Sequence, residues 1–192
     1  AATLPNSYNS VENITPLETP LSSTINGAAL ATPVFLSLYA ENDLRLDKYF
    51  AETDEKGFRK NKKAGSNNYL CTFRVGEIYL TAAEAAARLG ELSQARTRLL
   101  ELMRKRYAPE AYEAKSVVVN AMDKEALVQE ILDERARELA FEGHRWFDLR
   151  RSTRPRLEKV LDGTRYVLEE NDARYTLAIP KEAIEANPGL LN

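Results

Sequence analysis

The sequence is short of the residues that most reaction centres need. Of its 192 residues, one is cysteine, one histidine and one tryptophan. Cys71 stands alone, so no internal disulfide is available, and that decides nothing about compartment. It has no histidine close in sequence and no activating signature, so a thiolate nucleophile is not expected. His144 lies four residues before Asp148, a spacing that suits two ligands of one metal. Two ligands without a third make a weak site, and a surface or hydrogen-bonded histidine is the better reading. No glycine-rich phosphate loop is present, and a net charge of −2 gives no global field toward nucleic acid or an anionic membrane. The first basic residue is Arg45, which argues against a signal peptide at the start. Residues 19–40 carry no charge, yet Pro20, Asn26, Gly27 and Pro33 among several Ser and Thr argue against a spanning helix. The chain opens on Ala1 and its only methionines are Met103 and Met122. The expectation is therefore a processed or excised piece of a longer protein, with any membrane anchor upstream.

What is present is ordinary for a globular protein, 44% hydrophobic and 29% charged. The length suits one domain burying roughly 70% of its unfolded surface. The most informative stretch is 134–151, Glu-Arg-Ala-Arg-Glu-Leu-Ala-Phe-Glu-Gly-His-Arg-Trp-Phe-Asp-Leu-Arg-Arg, in which five arginines and four carboxylates are threaded through apolar residues. A helix from Asp123 to Glu142 places Leu127, Val128, Ile131, Leu132 and Leu139 on one side. Arg135 falls on that apolar face. A charge there is tolerated only when paired and hydrogen-bonded, so the spacing predicts a structural network in which Arg135 bridges Glu138, Glu142 or Asp148, with Arg137 on the outer face. His144 to Arg151 continues the helix or restarts it after Gly143.

Along the rest of the chain, residues 1–33 hold four of the eight prolines and read as extended, loop-rich chain. Val34–Tyr39 opens a helix toward Phe50, and Glu52–Asn68 reads as an exposed loop. Phe73–Leu89 is the strongest helix, with Arg74, Glu77, Thr81, Glu84 and Arg88 as a narrow polar stripe on a surface otherwise apolar or Ala. Its small residues permit close approach of a neighbouring helix, Glu84 and Arg88 are ordered as a favourable pair, and Gly90 ends it. Ser93 reads as the N-cap of a helix to about Tyr107, with Ala95, Leu99, Leu100, Leu102 and Met103 on its apolar face and Pro109 closing it. The spacing of Gly90, Ala95 and Leu99 is that of a tetratricopeptide-like pair, which needs neighbours to bury its faces; the Asp123 helix or a missing upstream half would serve. Beyond Pro155 a short hairpin is expected, with Tyr166 and Leu168 against Tyr175, Leu177 and Ile179 around Glu169–Asp172. The fold expected is all-α: one domain over 1–192, with a loop-rich segment 1–33, a helical body 34–152, and a hairpin and closing segment 153–192.

The motif Glu134-Arg-x-x-Glu-Leu-x-Phe-Glu-Gly-x-Arg-Trp-Phe-Asp-Leu-x-Arg151 resembles the signature of the SusD/RagB family, surface lipoproteins that bind nutrients, mostly glycans, beside a TonB-dependent transporter. Asp43-Leu-Arg-Leu-Asp-Lys-Tyr-Phe50 resembles a second landmark of that family, and Ile179-Pro180 through Ile184 to Asn187-Pro188 resembles its closing segment, with Ala183 where Glu is usual and Glu182 one place early. The resemblance runs from about Pro33 to the end and corresponds to the C-terminal half of a member. It implies a fold built on tetratricopeptide-like helix pairs, an oligosaccharide ligand, a SusC-like TonB-dependent partner, a place at the outer membrane surface through an upstream lipid anchor, and no cofactor.

Several chemical readings compete with that one. Glu134, Glu138 and Glu142 recur every four residues, and glycosidases use two acids. These acids alternate with arginines that keep them ionised, so a salt network is favoured and no enzyme is expected. Arg96, Arg98, Arg104, Lys105 and Arg106 form a basic cluster without an aromatic ladder for base stacking, which reads as a solvated helix face, not a nucleic-acid site. Trp146 and Phe147 suit sugar stacking, but their place in the motif favours packing. Tyr8, Phe58 and Tyr69, in loop-rich parts, are the candidates for ligand contact. The alternatives to glycan capture are peptide capture within the same family and a helical protein-interaction scaffold.

Overall fold

Short elements precede the long helices because proline, asparagine and charge interrupt the early sequence. The computed structural model describes residues 10–18, 30–63, 69–161, 163–187 and 189. They belong to two units, Ala1–Arg145 and Trp146–Asn192.

In the first unit, β1 (Asn13–Glu18) begins the described chain, followed by β2 (Leu30–Ala31). Helix α1 (Pro33–Leu36) is opened by the Thr32 hydroxyl, which accepts the Phe35 N–H, with Pro33 in the first turn, where its missing N–H costs nothing. Helix α2 (Arg45–Tyr49) runs straight into β3 (Phe50–Thr53), so the single helix expected toward Phe50 is two short ones. The loop expected over 52–68 is also revised. Asp54 accepts the N–H groups of Lys56 and Phe58 at 2.9 and 2.8 Å; this turn leads into β4 (Arg59–Asn61), with Asn61 and Lys63 buried. Residues 64–68 lie outside the described residues. The strands form a three-stranded sheet in the order β2-β4-β3, while β5 (Tyr69–Arg74) pairs antiparallel with β1, Asn13 opposite Arg74 and Leu17 opposite Leu70.

Helix α3 (Val75–Leu89) starts two residues later than its periodicity suggests, because Phe73 and Arg74 are strand. Gly90 ends it in the left-handed region, at φ 87°, where a side chain would be strained. The Glu91 N–H bonds back to the Ala86 carbonyl at 2.9 Å, so α4 (Leu92–Met103) begins at once. Ser93 is therefore inside the helix, not its cap. Ala83, Ala86 and Ala87 share a core with Ala95, Leu99 and Met103; their small side chains let the two helices approach closely. Pro109 does not close α4 but opens α5 (Pro109–Ala121). Helix α6 (Lys124–Glu138) is capped by Asp123, whose carboxylate accepts the Ala126 N–H at 2.9 Å, and adds Leu127 and Ile131 to the same core. It stops short of Glu142 because Phe141 and Gly143 turn left-handed, at φ 62° and 86°. Phe141 packs with Phe35, Tyr39, Tyr49 and Phe50 in a second, aromatic core, ring edges against faces at 5.5–6.3 Å.

Helix α7 (His144–Arg151) restarts after Gly143. The second unit continues with an antiparallel hairpin of β6 (Leu157–Leu161) and β7 (Thr164–Leu168), Leu157 opposite Leu168. Gly163, at φ 76°, lies between the strands. A hairpin was expected here with other strands. Residues Ala173–Tyr175 instead form a 3-10 turn fixed by Asp172, which accepts the Arg174 N–H at 2.8 Å, and Leu177 stays outside any strand, 76% exposed. A short helix, α8 (Lys181–Ala186), follows Pro180. Helices dominate the described chain. Among the described residues no helix is long and apolar enough to cross a membrane.

Candidate functional site

The four-residue repeat of acids along and beyond α6 builds a buried charged site in the first unit. Glu134 and Glu138 fall on one face of α6, and the turn through Phe141 brings Glu142 beside them. Their cations arrive from distant segments. Glu138 receives Arg45 on Oε2 at 2.9 Å, Arg74 on Oε1 at 2.5 Å, and Arg106 on both oxygens at 2.9 Å. Glu134 receives Arg45 at 2.7 Å, Arg137 at 2.8 Å and the Tyr107 hydroxyl at 3.2 Å. Glu142 takes the Arg74 Nε at 2.9 Å and the Lys63 ammonium. Lys63 also donates to the Glu138 and Ala140 carbonyls, at 2.7 and 3.2 Å, and Arg74 donates to the Glu138 carbonyl as well, so acceptors freed at the end of α6 are paired. Asp43 grips Arg45 through two bonds, at 2.9 and 2.7 Å, and Glu12 grips Arg106 at 2.8 Å. The Arg45 guanidinium lies 5.3 Å from the Tyr107 ring centroid, and the Lys63 ammonium 4.3 Å from that of Tyr49.

Gly76 shows how tightly α3 meets this network: a Cβ there would lie 2.7 Å from the Arg74 guanidinium and 2.9 Å from the Glu138 carboxylate. Electrostatics follow from the geometry. Burial works to raise the Glu138 pKa, but Arg74, Arg106 and Arg45 outweigh it and hold the carboxyl well below its usual range. Burial likewise opposes ionisation of Glu134 and Glu142. Arg45 and Arg137 keep the first low, and Lys63 and Arg74 the second. Burial pulls the Lys63 amine down to about 8 against the pull of Glu142. Burial also raises the phenols of Tyr39, Tyr49 and Tyr107. A cluster of ionised, fully engaged carboxylates offers no acid poised to give a proton; what it supplies is fixed geometry.

Glu138 and Glu142 lie in this network. Arg135 is buried and donates to the Thr81 hydroxyl at 3.2 Å. Asp148, in the second unit, is buried and accepts Arg151 at 2.7 Å. Arg137, expected on an outer face, is buried between Glu134 and Glu130 and donates to the Leu38 carbonyl; the segment carrying Tyr39, whose hydroxyl bonds the Arg137 carbonyl at 2.7 Å, covers that side of α6. Glu84 and Arg88 pair at 2.9 Å, as their spacing predicts. His144 faces Glu77 at 3.7 Å, and among the described residues no group of three His, Cys, Asp or Glu side chains is placed to hold a metal. Phe58 is half-buried in the Asp54 turn. Tyr69 opens β5, and Tyr8 lies outside the described residues. Trp146 stacks on Tyr175 at 5.2 Å and 12°, whereas Phe147, expected to pack, is 63% exposed. The arginines that hold Glu138 were not found from sequence as its partners, although Arg74 stands in the polar stripe before α3 and Arg45 in the Asp43–Phe50 motif.

The chain's fold is that of a SusD superfamily protein from Bacteroides thetaiotaomicron, at TM-score 0.66 and 22% identity over 92% of this chain and 47% of that one. It is also similar to a SusD-like carbohydrate binding protein from Bacteroides vulgatus, at TM-score 0.56 and 20% identity over 83% of this chain and 40% of that one. A suggested sugar-binding protein from the same organism matches at TM-score 0.59 and 27% identity, over 82% of this chain and 37% of that one. The chain thus spans less than half the length of each of these structures. No curated protein sequence matches it. The sequence model of the SusD family matches residues 29–192, which takes in both units and every α6 acid of the buried network, and the chain belongs to that family.

Proposed function

We propose that this chain is part of a non-enzymatic surface receptor that captures glycans at the outer membrane and delivers them to a SusC-like TonB-dependent transporter. The observation that carries the reading is the family match over residues 29–192, and the 27% identical relative described as a suggested sugar binder supports glycan as the ligand class. The α3–α4 pair is read as tetratricopeptide-like, and the Arg135, Glu138, Glu142 and Asp148 positions as structural, each ordering its own unit while loops meet the ligand. Tyr8, Phe58 and Tyr69 are the ligand contacts proposed, since flat aromatic rings suit stacking against sugar rings.

The test is calorimetric titration of the full gene product with a panel of oligosaccharides and, separately, of peptides, together with co-purification from outer membranes. Saturable glycan binding, recovery with a TonB-dependent transporter and no release of reducing sugar are expected. Alanine at Phe58 or Tyr69 should weaken binding several-fold with an unchanged melting temperature. Binding of peptides but no glycan would replace the ligand class, and reducing sugar released by wild type but not by Glu138→Gln would overturn the non-enzymatic reading.

A further inference from the structure

We draw no further inference here: the strongest candidate, the outward stripe of Ala114, Val117, Val118 and Ala121 along α5, is an unpartnered apolar helix face, and nothing in the structure shows what covers it.

Discussion

Glu138 in the first unit and Glu158 in the second are both carboxylates that receive more than one arginine, and they sit in opposite surroundings. The Glu138 side chain is 0% exposed and takes Arg45, Arg74 and Arg106. Glu158 is 31% exposed and takes Arg156 at 2.9 Å and Arg165 at 3.3 Å, cations that are themselves 47% and 67% exposed. Around Glu158 water competes with every bond, so an exposed pair contributes little. Around Glu138 each partner has given up its hydration, and removing one group strands the others in an apolar interior. The number of partners is therefore a poor guide to what a charge does for the fold; the solvent it has lost is the better one.

The sharpest way to break the comparison is to remove the centre of the buried network. Glu138→Ala leaves three guanidiniums short of an acceptor and should cost about 3–5 kcal/mol in urea denaturation, with Arg137→Ala costing less, about 1–3 kcal/mol, because Glu134 loses one of its two guanidiniums but keeps Arg45 and Tyr107. A loss below about 1 kcal/mol for Glu138→Ala would mean that the network is held together more loosely than its distances indicate.

Acid should sharpen the contrast without any mutation. Glu134, Glu138 and Glu142 have pKa values lowered in the folded protein from an ordinary 4.5, so the unfolded chain takes up protons first as the pH falls. The stability they contribute is whole above about pH 4.5 and is lost progressively below it, as the pH drops through the folded values. Melting temperatures should be level near neutrality and fall steeply under about pH 4; a flat profile there would refute the assignment. The smallest effect is expected at the exposed site. Glu158→Ala should leave the melting temperature unchanged within error, and a clear drop would show that the hairpin depends on its surface pairs.

Helices α3 and α4 were legible because their burial is one-sided enough to print a period on the sequence, and Gly90 marks the end of α3 as Asp123 marks the start of α6. Helix α5 was not, since Val119 is its only fully buried residue and a β-branched Val117–Val119 run does not advertise a helix. Arg137 was misread because a wheel shows two sides of α6 but not which segment covers the second. The acids of the site were visible as a four-residue repeat. Their cations were not, because Arg45, Arg74 and Arg106 approach Glu138 from 93, 64 and 32 residues away, and spacing carries no information at that range.

Those separations bear on how fast the molecule is made and lost. Joining Glu138 to Arg45 or Glu12 to Arg106 closes loops of 93 and 94 residues, and chain entropy resists such closures until much of the molecule is already ordered. The network is therefore expected to assemble after the folding barrier has been crossed and to act chiefly as a latch against unfolding. In stopped-flow denaturation, Glu138→Ala should raise the unfolding rate severalfold while leaving the refolding rate nearly unchanged, and a slowing confined to refolding would place the network in the nucleus instead.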